Sequence, residues 1–203
     1  MELTRIQMDA LSEIINIGVG KGAAVLNKIL NSHIQLRVPL VKILDSTELI
    51  NELKEMGNDK LSSVNLGFKG TLYGTAQLIF SSENASELVA TVTGEDIHNL
   101  SMDDISFMRS GTLSEIGNIV LNSVMGTFSN MLSLPLHFVV PGYIEDYASN
   151  LYFKMVEKNT AILLAKTQFS VEKLSIHGDI VLLFEVPSMD VLIHRIDQYF
   201  SQV

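Results

Sequence analysis

Cysteine and tryptophan are both missing from the 203 residues. Without cysteine there is no disulfide framework, no thiolate metal site and no cysteine nucleophile. That suits a reducing compartment. Four prolines and 13 glycines are too few for a collagen-like or low-complexity segment. Positive charge is scarce as well: 14 Lys and Arg stand against 23 Asp and Glu, a formal charge of −9. No Lys/Arg run supplies the cationic footprint that phosphate backbones require, so no nucleic-acid partner is expected. The first residues, Met-Glu-Leu-Thr-Arg, lack the basic start and apolar run of a secretory signal. A stretch from Ile116 to Ile144 is free of Asp, Glu, Lys and Arg. It is interrupted by Asn118, Asn122, Ser123, Thr127, Ser129, Asn130 and Ser133, and then by Pro135 and Pro141. A membrane span needs about 20 mostly apolar residues, so no membrane insertion is expected and a cytoplasmic location is. What is present is core material. Hydrophobic residues make up 47% and charged residues 18%, which excludes a disordered chain and fits one folded domain over 1–203.

The chain also resembles itself. Residues 13–18 read Glu-Ile-Ile-Asn-Ile-Gly and residues 115–120 read Glu-Ile-Gly-Asn-Ile-Val, an offset of 102. Pro39 and Pro141 keep that offset, and Gly74–Phe80 resembles Gly178–Phe184 at an offset of 104. Four features in one order at nearly one spacing predict two related halves, about 1–100 and 101–203. The period is too long for a solenoid. No flexible linker separates the halves, so one shared sheet or core is expected.

Hydrophobic periodicity gives each half the order α-β-α-β-β-α. The first half reads as a helix over 5–30, opened by a Thr4/Gln7 capping box. A strand over 34–45 follows, with Pro39 marking an edge or bulge. Then come a helix over 46–56, strands over 64–68 and 71–80, and a helix over 82–93. The second half reads as a helix over 104–133, a strand over 136–144, a helix over 147–157, strands over 160–169 and 174–186, and a helix over 188–200. The expected fold class is α+β: duplicated half-domains with pseudo-two-fold symmetry, a largely antiparallel sheet and two exposed motif helices.

A helical wheel of residues 5–30 puts Leu11, Ile14, Ile15, Gly18, Gly22, Val25, Leu26 and Ile29 inward. Asp9, Glu13, Asn16, Gly20 and Asn27 fall on the other side, flanked by Ala23 and Ala24. The second long helix turns Leu113, Ile116, Gly117, Val120, Val124, Phe128 and Met131 inward and Glu115, Asn118, Asn122 and Ser129 outward. Glu and Asn three residues apart project side by side and can act on one target. Gly20, Ala23 and Gly126 leave room for another backbone. Gly18, Gly20 and Gly22 each cost about 1 kcal/mol relative to Ala in a helix, which points to close approaches. Outward Glu and Asn are ordinarily just solvated, and Thr112 with Glu115 could be a capping box. The repetition of the pair in both halves favours a site.

Other constellations are negative. Gly18-Val-Gly-Lys-Gly22 has neither nucleotide-loop spacing. His33, His98, His137, His177 and His194 are scattered without metal-ligand spacing, so no metal site is expected. There is no G-x-S-x-G elbow.

Asp9-x3-Glu13-x2-Asn16-x22-Pro39 resembles the signature of the CheC/CheX/FliY phosphatases of bacterial chemotaxis, and Glu115, Asn118 and Pro141 repeat most of it. The length and the doubled motif resemble CheC-like members, since CheX-like members are shorter and FliY-like members carry an extra domain. The resemblance implies hydrolysis of the aspartyl phosphate on a CheY-like response-regulator receiver. It implies that Asn16 and Asn118 position the attacking water and that Glu13 and Glu115 contact a receiver lysine. Asp9, Gly20, Ala23 and Asn122 complete the expected partner-binding face. The receiver would bring its own Mg2+, so this chain needs no cofactor. Such chemistry is mostly positioning and electrostatics, and a neutral amide holds water without repelling the phosphoryl group. Two positions depart from the signature. Gly111 stands where the second copy should have Asp or Ser, which would weaken the second site if that residue supports the helix start. Ile15 replaces a Gly and should face the core. The other reading of the same motif is a non-catalytic binding module of the chemotaxis or flagellar switch system, acting through CheD or a receiver.

Overall fold

Thr4 begins the first helix as its spacing predicts: its N–H donates to Gln7 Oε1 at 2.9 Å and its Oγ1 accepts from the Gln7 N–H at 3.3 Å. The computed structural model describes residues 3–30, 33–95, 101–156, 160–171 and 174–200. The first half contains α1 (Arg5–Leu30), β1 (Ile34–Leu44), α2 (Ser46–Glu55), β2 (Leu61–Gly70), β3 (Gly74–Phe80) and α3 (Ser82–Thr93). The second contains α4 (Met102–Met131), β4 (Leu136–Phe138), β5 (Gly142–Asp146), α5 (Ala148–Met155), β6 (Thr160–Val171), β7 (Leu174–Glu185) and α6 (Val186–Phe200). The expected boundary near residue 100, His98, and the last residue of the helix expected over 147–157 lie outside the described residues.

The α+β class holds: the described residues form six helices and one antiparallel sheet in the order β1-β6-β7-β3-β2-β4, β5 also pairing with β2. Exchanging the first six elements for the last seven reverses this order onto itself, with β4 and β5 together standing for β1. The strand expected over 136–144 is split: Val139 still donates to Gly67 O of β2 at 2.9 Å, and residues 140–141 leave the sheet.

The sheet is buried on both faces. From β7, Ile180, Leu182 and Phe184 pack under α1, α3, α4 and α6, while Val181 and Leu183 pack under α2 and α5. Alternation along a strand thus feeds two cores. α1 and α4 cross at close range. A Cβ on Gly18 would lie 2.6 Å from Val124 Cα, and one on Gly22 would lie 3.3 Å from Val120 Cα. Each Val stands 102 positions after the other glycine, so the contact maps onto itself when the halves are exchanged.

Two wheel readings need correction. Val25 and Ile29, expected in the core, are 43% and 56% exposed. Beyond the crossing, the buried stripe of α1 runs through Val19, Ala23 and Leu26, and Asn27 turns toward β1. Nor does Thr112 cap a helix: Ser101 caps α4 by accepting from the Asp104 N–H, ten residues before Gly111.

Candidate functional site

Asp9, Glu13, Asn16 and Gly20 are exposed along α1. Asp9 Oδ2 lies 3.9 Å from Arg5 Nε, a loose surface pair. A Cβ on Gly20 would meet nothing within 4 Å, so a partner backbone has room there. Ala23 does not belong to this stripe. It is 7% exposed and packed in the core, one turn after Val19 and just before Leu26.

The Asn16 carboxamide turns toward the sheet edge. Its Oδ1 accepts from the Val38 N–H at 3.1 Å. Its Nδ2 donates to Ser12 O at 2.9 Å and to Val38 O at 3.4 Å. The reason lies in β1. Its register with β6 jumps between Arg37 and Leu40, where Pro39 cannot donate to a ladder. Val38 is left with an unpaired N–H and C=O, and the Asn16 side chain satisfies both. The spacing from Asn16 to Pro39 is thus partly structural. Asn27, expected to face outward, does the same for Ile34, donating to its carbonyl at 2.9 Å and accepting from its N–H.

The second motif lies on α4. Glu115 is exposed, while Asn118 and Asn122 are half-buried. Asn122 Nδ2 donates to Asn118 Oδ1 and, at 2.8 Å, to Asn118 O. Val140, which stands where Val38 does in the first half, is 87% exposed and outside the sheet. Ser129 replaces Asn27 and donates to Leu134 O at 2.7 Å. The two motif amides therefore share a helix face but not an environment.

A carboxamide offers two donors and two acceptor sites. At Asn16 both donors and one acceptor site are in use, which fixes the plane of the amide and leaves one Oδ1 lone pair. At Asn118 one Oδ1 site is taken by Asn122. Each amide can accept one hydrogen from a water, and the water keeps its own lone pairs for attack. Glu13 and Glu115 form no ion pair among the described residues, so each is an available anion.

The shifted titratable groups lie elsewhere. Glu52 sits between Lys42 and Lys166, 2.7 Å from the latter. Burial pushes its carboxyl up, but the two lysine hydrogen bonds outweigh this and hold it below its ordinary value. Lys166 also donates to Asp179 at 2.8 Å, yet burial keeps Asp179 raised. Tyr143 is pushed up to about 12 by burial beside Ser62 and Glu145. No group of three or more metal-ligating side chains is found among the described residues, and none of their helices is long and apolar enough to cross a membrane.

Sequence reasoning marked an edge or bulge at Pro39, and β1 has both, but missed that the Asn16 side chain would bind the Val38 backbone left unpaired there. It also missed a consequence of Gly111, which is exposed in the middle of α4 with nothing within 4 Å of a Cβ there.

No protein-family model matches the chain. Over 139 residues it is 32% identical to the CheY-P phosphatase CheC of Bacillus subtilis, a match covering 66% of this chain and 64% of that relative. The chain thus spans just under two thirds of that relative's length. Among solved structures, FliY from Thermotoga maritima superposes with a TM-score of 0.71 at 18% identity, covering 100% of this chain and 99% of that one. FliM of H. pylori, crystallised with SpeE, gives 0.70 at 12% identity over the whole of both chains. CheX from Desulfovibrio desulfuricans gives 0.53 at 18% identity, covering 85% of this chain and 97% of that one. At these identities the structures establish the fold.

Proposed function

We propose that this chain is a CheC/CheX/FliY-type phosphatase that hydrolyses the aspartyl phosphate of a CheY-like receiver, with Asn16 and Asn118 as the catalytic amides. The observation that carries the proposal is the doubled arrangement of an available Glu one helical turn before an Asn whose Oδ1 keeps a free acceptor site. A water donating to that oxygen is oriented with a lone pair toward phosphorus. Its oxygen forms the new P–O bond as the bond to the aspartyl oxygen breaks. The receiver recovers its carboxylate, inorganic phosphate leaves, and the water's protons go to phosphate and solvent. A neutral amide adds no repulsion to the phosphoryl group, and holding the water in line turns an encounter into an oriented reaction. Glu13 and Glu115 pair with a receiver lysine and fix the pose. The receiver brings Mg2+ with its phosphate, so this chain contributes no metal site. Such a partner places the protein in the cytoplasm. The repeated motif and the self-mapping strand order support an origin by duplication.

A phosphorylated receiver loses its label faster with this protein present, and Asn16→Asp with Asn118→Asp abolishes the acceleration. Unchanged hydrolysis by that folded double variant overturns the mechanism. One observation favours a second reading, a binding module acting through a receiver or CheD: the Val38 bonds give Asn16 a structural purpose without catalysis. Capture of either partner with no change in dephosphorylation rate would support that reading.

A further inference from the structure

Beside Glu115 lies an apolar groove of about 410 Å3, walled by Leu26 of α1, Val92 of α3, and Phe107, Met108 and Ile119 of α4. Gly111 lines it, and the absence of a side chain there keeps it open. Phe107, at its rim, is 82% exposed, an unusual state for so large an apolar side chain. Phe107, Gly111 and Glu115 are spaced by four residues and share one face of α4.

The first half has no such groove-lining stripe. Arg5 stands 102 positions before Phe107, Asp9 before Gly111 and Glu13 before Glu115. The first face is therefore charged throughout, with Arg5 and Asp9 loosely paired, while the second is apolar with an acid at one end. Glu115 lies in the groove wall, and of the charges close to its lining residues in sequence Glu95, Asp103 and Asp104 are acidic, with Lys28 after Leu26 and Arg109 on α4 the basic ones. Arg109 does not neutralise the acids. Its guanidinium turns away to Glu145 and to Ser86 Oγ at 2.9 Å, and its side chain is only 14% exposed.

We propose that this groove is the docking pocket of the second site for the receiver itself, taking an apolar receiver side chain that lies beside a lysine or arginine. The proposal rests on the receiver reading above and deepens it. Charge complementarity selects the occupant: an apolar groove whose one charged lining residue is the acid Glu115 fits a cationic and apolar patch, and Glu115 is the residue assigned to a receiver lysine. Gly111 is then a gain of docking surface at the second site. The two sites would hold one partner by different contacts, the first by charge and the second by an apolar anchor.

The test uses the full chain with Glu13→Arg, which leaves only the α4 site competent, and a CheY-type receiver phosphorylated by acetyl phosphate in Mg2+. Gly111→Leu fills the groove at an exposed helix position where Leu is a better helix former. Phe107→Ser removes the rim. Each should raise KM about tenfold or more while kcat stays within about twofold, the signature of lost uniform binding. Unchanged KM in both folded variants overturns the proposal while leaving the phosphatase reading intact. If the parent proteins fail to hydrolyse the receiver, the phosphatase reading falls. Calorimetric binding of the phosphorylated receiver then decides the groove alone: weakened binding by Gly111→Leu supports it and equal binding overturns it. A concentration-dependent dimer that Gly111→Leu dissolves also overturns it, because a second copy would then be the occupant.

Discussion

Replacing Asn16 by Ala should cost stability as well as activity. The change strips Val38 of both side-chain partners, at 3.1 and 3.4 Å, and Val38 is only 7% exposed. A net hydrogen bond contributes about 0.5–1.5 kcal/mol, and a buried backbone group left unpaired costs about 1–3 kcal/mol. The second bond is long, and water can reach the exposed Asn16 position, so a loss of about 1.5–3 kcal/mol is expected. In a domain of this size, each kcal/mol moves the melting midpoint by about 2–4 °C, so Tm should fall by about 3–12 °C. Asn118→Ala breaks only contacts within α4 and gains helix propensity, so it should stay within about 0.5 kcal/mol of the parent. Asn16→Asp keeps an acceptor for the Val38 N–H but sets an anionic oxygen against Ser12 O and Val38 O, where Nδ2 had donated, so it too should lose stability while its charge beside a phosphoryl group stops hydrolysis. Circular-dichroism melting and urea unfolding read the stability, and phosphate release reads the activity. Equal midpoints for Asn16→Ala and Asn118→Ala would refute the assignment of Asn16 to the β1 bulge.

Gly18→Ala should destabilise by about 1–3 kcal/mol or more, because its methyl would press on the Val124 backbone at 2.6 Å. Gly20→Ala, with nothing within 4 Å, should stabilise by up to about 1 kcal/mol; urea midpoints compare the pair. Tyr143, raised to about 12, favours the protonated folded state, so its contribution is complete below its ordinary pKa of 10.0 and lost as pH climbs through 12. A spectrophotometric titration should show a phenol ionising near 12 that Tyr143→Phe removes. Glu52, held below its ordinary 4.5, contributes stability above that value that disappears as pH falls further. Acid unfolding of Glu52→Gln should therefore lose part of its dependence in that range, and an identical acid transition would count against the Lys42–Glu52–Lys166 bridge.

Much of the fold could be read from residue pattern because alternation and periodicity report directly on burial. Ser82–Thr93 emerges with the expected bounds, and the Thr4/Gln7 box forms as spelled. The helix wheels were less reliable at Val25 and Ile29. A wheel assumes one straight buried stripe, whereas α1 leaves the α4 crossing after Gly22 and turns toward β1. The motif acids and amides could be found by their repetition, but their surroundings could not. Whether Asn16 has a backbone partner depends on a bulge opposite β6, more than a hundred residues away. Gly111 looked like a missing residue in the signature, and only the packing of α3 and α1 around it shows the space it opens.

The first strand of each half carries a topological debt. β1 hydrogen-bonds to β6 and never to β2 of its own half, while β5 lies on β2 and never on β6. Neither half could complete its sheet in isolation. A single half on its own would have to trade that strand with a twin, so the covalent join between the halves turns what would be a concentration-dependent assembly into a property of one molecule.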